Sequence, residues 1–96
     1  MKILYLTSAR PVIGWFRRYY RFVFPAGARS ASRHLTATRR LLAANPLAGR
    51  LVEGTTARKL GIARTPFSIY YEAHPGEIRI PRVFDHRSGA DPVERG

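Results

Sequence analysis

The stretch RKLGIARTPFSIYYEAHPGEIRIPRVFDHR, Arg58 to Arg87, decides the fold. It reads as three short strands, separated by Thr65-Pro66 and by the turn His74-Pro75-Gly76-Glu77, with basic residues spaced along them. Phe67, Ile69 and Tyr71 alternate with Ser68, Tyr70 and Glu72, and the two-residue period of a strand sends the first set to one face and the second to the other. Ile78 and Ile80 flanking Arg79 continue the division after the turn. Pro75-Gly76 suits the centre of a type II turn, where proline presets φ and glycine accepts a positive φ, so the connection is a hairpin. Pro81 cannot donate a ladder hydrogen bond, which places it on an edge or at a bulge; a bulge would re-aim Arg82, Asp85, His86 and Arg87.

The rest of the chain supplies what covers this sheet. Lys2 to Thr7 is a short apolar strand. Val12 to Phe24 has helical spacing, with Ile13, Phe16, Tyr20 and Val23 facing inward and Arg10, Gly14, Arg17, Arg18 and Arg21 on the opposite stripe. Ser8 is placed to cap this helix, and Pro11 sits in its first turn, where a missing N–H costs nothing. Pro25-Ala26-Gly27 breaks it. Ser30 is placed to cap a second helix running to about Ala44, with Ala31, Leu35, Thr38 and Leu42 inward. Asn45-Pro46 ends that helix, Leu47 to Thr56 reads as a connection, and Ala57 to Ala63 as the second strand. The order strand, helix, helix, strand, strand, strand predicts a two-layer α+β domain with a helical hairpin on one face of a small sheet. Residues 1–87 make the domain, and 88–96 (SGADPVERG) a polar, mobile tail.

Ninety-six residues suffice for one domain that folds without disulfides or metal, and cysteine is absent, which fits the cytoplasm. No apolar run approaches the roughly 20 residues of a membrane span, so a soluble chain with no membrane partner is expected. The net charge is +11, and of 17 basic residues only Lys2 and Lys59 are lysine. Residues 1–52 hold ten of them and no acid; residues 53–96 hold seven against six acids. Arginine suits bidentate contact with phosphate and carboxylate, so the composition points to a polyanionic or acidic partner. A helix face of one sign creates a field that steers such a partner, whereas a mixed face only solvates.

Catalytic constellations are mostly missing. His34, His74 and His86 stand too far apart for a metal-ligand set, no Ser-His-Asp or paired-carboxylate spacing occurs, and there is no glycine-rich phosphate loop; no cofactor is expected. The polar cluster is Asp85-His86-Arg87 with Arg79 and Arg82, opposite Arg58 and Lys59. It reads either as a phosphate-contacting surface with His86 as acid or base, or as a solvated strand end with Asp85 paired to Arg82 or Arg87. Trp15, Tyr19, Phe22, Tyr70 and Tyr71 have rings able to stack on bases, but packing accounts for them more simply.

The ordered series Asn45-Pro46-Leu47-Ala48-Gly49-Arg50, Arg58-Lys59-Leu60, Thr65 to Tyr71, Ile78-Arg79-Ile80 and Arg82-Val83, together with Trp15 to Tyr20, resembles the RelE/ParE superfamily of toxins from bacterial type II toxin-antitoxin systems. The resemblance spans about residues 1–87. It implies one fold with two activities: ParE-like members inhibit DNA gyrase, and RelE-like members cut messenger RNA on the ribosome. It also implies a cognate, acidic-tailed antitoxin whose C-terminal segment folds on the toxin. The charge pattern, rather than the resemblance, marks Arg10, Arg17, Arg18, Arg21, Arg58, Arg79, Arg82 and Arg87 as contacts for partner and target. RelE-like nucleases use basic residues on the middle strands, an arginine near the end of the last strand and often a C-terminal tyrosine. In this chain Arg58 or Lys59 stands for the first and His86 or Arg87 for the second, with Arg82 beside them. Pro66-Phe67 occupies the place of a strand arginine, and no tyrosine follows Tyr71. The expectation is therefore a gyrase-inhibiting, non-enzymatic toxin; the alternatives are an mRNA endoribonuclease and a non-toxic basic RNA-binding domain.

Overall fold

A computed structural model describes residues 2–88. Strand β1 (Lys2–Tyr5) leads through a 3-10 turn at Thr7–Ala9 into helix α1 (Arg10–Arg18), a π-helical turn (Tyr19–Val23) and a second 3-10 turn at Pro25–Gly27; helix α2 (Ala28–Ala44) follows. Strands β2 (Arg50–Leu51), β3 (Arg58–Gly61), β4 (Phe67–His74) and β5 (Glu77–Asp85) complete the sheet, and a turn at His86–Ser88 closes the described chain. The sheet order is β1-β5-β4-β3-β2, with β1 parallel to β5 and the other pairs antiparallel. The two-layer α+β architecture matches the pattern of the sequence. The polar tail read over 88–96 lies outside the described residues, apart from the backbone of Ser88.

The core forms where the inward stripes of the helices meet one face of the sheet. Ile13, Phe16, Tyr20, Ala31 and Leu42 pack with Phe67, Ile69, Tyr71, Ile78, Ile80 and Val83. Phe67 stands edge-on to Phe16, ring centroids 4.9 Å apart. Burial of this apolar surface is the main stabilising contribution.

Four local expectations are corrected. The stretch from Leu47 to Thr56 contains β2, whose two exposed residues carry no period-two signal; the strand forms because Val52 N–H bonds Ala57 C=O at 2.9 Å and sets Arg50 and Leu51 opposite Lys59 and Arg58. Val23, expected inward, is 60% exposed. The helix loosens into i→i+5 bonding after Arg18, with Phe24 N–H on Tyr19 C=O, which moves the apolar phase off the core and leaves Phe22 exposed as well. Ser8 does not cap α1; its hydroxyl donates to Pro81 C=O instead. Ser30 does not cap α2, which begins two residues earlier, and its carbonyl accepts from His34 Nδ1 at 2.7 Å.

The hairpin and the bulge agree with the sequence. Gly76 has φ +76°, as the second central position of a type II turn requires. Tyr70 pairs with Arg82 and Glu72 with Arg79, so Ile80 and Pro81 together oppose Tyr71. This extra residue has a large effect on which side chains face out. Ile78 and Ile80 are buried on the helix side, and strict alternation would carry Arg82, Phe84 and His86 to that side too. The bulge shifts the phase by one, so that Val83 and Asp85 turn inward and Arg82, Phe84 and His86 take the opposite face. Since β5 lies between β1 and β4, a bulge is the only position that accommodates Pro81.

Candidate functional site

Directly opposed residues of an antiparallel ladder share a face. Arg50 opposes Lys59, Lys59 opposes Tyr70 and Tyr70 opposes Arg82, so one row across four strands carries three cations and a phenol on the side of the sheet away from the helices. The next row is Gly61, Ser68 and Phe84. Lys59 Nζ lies 5.7 Å from the centre of the Tyr70 ring. Both Ser68 and Tyr70 are buried although they do not face the helices, and the Tyr70 hydroxyl has no hydrogen-bond partner among the described residues.

His86 is exposed and joins this face through its ring. Its Nε2 is 2.6 Å from Ser68 Oγ, and its ring meets Phe84 edge-on at 5.4 Å. Packing against the sheet, and next the charge of Lys59, hold its pKa below the ordinary imidazole value; Asp85 pulls weakly the other way. The face therefore presents a neutral imidazole among cations. Such a surface attracts anionic groups and offers them hydrogen bonds.

A second charged surface lies across the molecule. Arg10, Arg17, Arg18 and Arg21 are all exposed on α1 and the turn that follows. Arg17 and Arg21 rim a groove of about 400 Å³ between the helices, floored by Phe16, Tyr20, Ala31 and Leu35. No helix among the described residues is long and apolar enough to cross a membrane.

Neither a protein-family model nor a curated protein matches the sequence. Among solved structures, a chain of the chromosomal ParDE TA system from P. aeruginosa superimposes with a TM-score of 0.64 at 26% identity, over 88% of this chain and 95% of that one. The fold is that of the RelE/ParE superfamily.

Within this RelE/ParE fold the residues singled out from the sequence divide into separate groups. Lys59, Arg82 and His86 share the face of the sheet away from the helices. Arg58 faces the other side, where its guanidinium donates to Gly49 C=O at 2.9 Å and to Leu47 C=O at 3.5 Å. Arg87 turns toward α1: it donates through Nε and Nη2 to the two oxygens of Asp85, at 3.1 and 3.0 Å, and lies 3.9 Å from the centre of the Tyr19 ring. Of the two pairings read for Asp85, the structure contains the one with Arg87. Arg79 is exposed and bonded to Glu77. Phe67, which takes the place of a strand arginine, is buried in the core, so the outward position beside it belongs to Ser68. His34 is used within α2, and His74 Nε2 lies 3.9 Å from Glu72. No three His, Cys, Asp or Glu side chains among the described residues gather as a metal site.

Arg50, Ser68 and Tyr70 were not among the site residues selected from the sequence. The signal for two of them was present: alternation had put Ser68 and Tyr70 on the second face, and a bulge at Pro81 is what brings Arg82 and His86 to them. Arg50 carried no such signal, because its strand is too short to show a period.

Proposed function

We propose that this chain is the toxin of a type II toxin-antitoxin module, that it arrests growth by inhibiting DNA gyrase, and that an acidic segment of a cognate antitoxin neutralises it. The observation that carries the reading is the structural likeness to the ParDE system over nearly the whole of both chains. The all-basic first half supports an acidic protein partner, because ten bases without one acid set up a field that such a partner would neutralise.

Gyrase inhibition is favoured over RNA cleavage because the cations a nuclease centre would draw on are partly committed elsewhere. Arg58 holds backbone carbonyls and Arg87 is locked to Asp85. Cleavage of RNA needs a base for the 2′-hydroxyl, an acid for the leaving oxygen and cations for the developing charge. The second reading, a ribosome-dependent mRNA endonuclease, rests on the grouping of His86 with Lys59, Arg82 and Tyr70 on one face.

The test is a gyrase supercoiling assay run beside primer extension on ribosome-bound message, with wild type and His86→Gln. Loss of supercoiling without message cleavage is the expected result. Codon-phased cuts that vanish in the His86 variant, with gyrase unaffected, would promote the nuclease reading. Normal growth of cells making verified folded protein would remove the toxin reading altogether.

A further inference from the structure

An exposed imidazole is held here by a buried hydroxyl. Ser68 is 3% exposed, sits second in β4 and has its Oγ 2.6 Å from His86 Nε2, while His86 lies on the surface just past the end of β5. Two arrangements of protons fit that distance. Either the hydroxyl donates to an unprotonated Nε2, or Nε2–H donates to the oxygen. The second leaves the Ser68 hydroxyl hydrogen inside the protein with no acceptor among the described residues, at the cost of a buried unsatisfied donor. In the first, every donor is served: the hydroxyl bonds Nε2, and the ring proton resides on Nδ1, where solvent or a ligand can accept it.

From this geometry we infer that Ser68 is a positioning residue that fixes His86 as its Nδ1–H tautomer, so that the surface imidazole presents a hydrogen-bond donor rather than a base. The charged groups around the ring agree. Burial and Lys59 from β3 disfavour imidazolium and outweigh the opposing pull of Asp85, which is itself paired with Arg87 on the helix side; Arg82 from β5 stands on the same face as the ring. A neutral N–H beside two cations suits an oxygen acceptor on whatever this face meets. It depends on the gyrase reading only for the identity of that acceptor. The opposing position on β3 is Gly61, which has no side chain to meet the additional methyl of threonine across the ladder.

The experiment is long-range ¹H–¹⁵N correlation of the imidazole ring on the full chain labelled at histidine, at a pH where His86 is neutral. Wild type and Ser68→Thr should show an unprotonated Nε2 and a protonated Nδ1. Ser68→Ala should lose that preference toward the mixture seen in free imidazole, and its His86 titration midpoint should move. An Nε2–H tautomer in wild type would overturn the inference, as would an alanine variant with an unchanged ring spectrum. If Ser68→Ala does not fold, the wild-type tautomer and the threonine variant decide the question alone. These measurements involve no gyrase, so their failure is separable from failure of the gyrase reading.

Discussion

Trp15 Nε1–H donates to Asp85 Oδ2 at 2.9 Å, which ties the first helix to the end of the last strand across 70 positions of sequence. Asp85 is buried and also accepts from the backbone and side chain of Arg87, whose guanidinium lies over Tyr19. Asp85→Ala strands four N–H donors, one from Trp15 and three from Arg87, and frees the Arg87 side chain. It should cost about 1.5 to 3 kcal/mol, as charge-assisted bonds at a buried carboxylate do. Trp15→Phe, which removes one donor and keeps most of the ring, should cost about 1 kcal/mol. Urea denaturation of the two variants checks the order, and a Trp15→Phe loss equal to that of Asp85→Ala would overturn it.

Acid should weaken the fold in two steps. Burial alone would raise the Asp85 pKa, but the hydrogen bonds from Arg87 and Trp15 outweigh it and hold the carboxyl below its ordinary value. The unfolded chain then binds more protons than the folded one, so this stabilisation is complete above the unfolded pKa of about 3.9 and is lost as the pH falls through the folded pKa. His86, also lowered, follows the same sign below its unfolded value of about 6.5. Urea midpoints measured from about pH 8 to 3 should fall twice. His86→Gln should remove the upper fall and Asp85→Asn should shrink the lower, to which Glu77, held down by its hydrogen bond with Arg79, adds with the same sign.

Gly49 is expected to tolerate no side chain. A Cβ there would stand 2.8 Å from Lys59 C=O and 2.8 Å from the Tyr71 ring and hydroxyl, while the Gly49 N–H donates to Tyr71 Oη at 2.8 Å. Gly49→Ala should therefore destabilise by more than Tyr71→Phe, which loses one hydrogen bond for about 1 kcal/mol and leaves the Gly49 N–H unpaired. Thermal melts of both variants test this, and a harmless Gly49→Ala would mean that the β2 segment yields easily.

Replacing Arg17, Arg18 and Arg21 by glutamine should slow association with the antitoxin and flatten its salt dependence, because exposed charges act over a Debye length of about 8 Å at physiological salt. Stability should hardly change, since all three side chains are exposed. Stopped-flow association at low and high salt makes the measurement. An unchanged rate at low salt would show that the stripe is only solvated.

The order of elements apart from β2, the α+β layering, the hairpin at Pro75-Gly76 and the irregularity at Pro81 were determined by the sequence alone, because each depends on local period, turn chemistry or a missing N–H. The partner of each candidate side chain was decided only by tertiary structure. Arg58 and Lys59 are adjacent in sequence yet point to opposite faces, one to the carbonyls of the β2 segment and the other to Tyr70. Arg82 and Arg87 lie close together in the sequence, but only Arg82 takes the sheet face away from the helices, while Asp85 draws Arg87 against Tyr19. Sequence spacing carries no term for these choices. They depend on the one-residue shift at Ile80-Pro81 and on which strand lies alongside, and both are set when the sheet assembles against the helices.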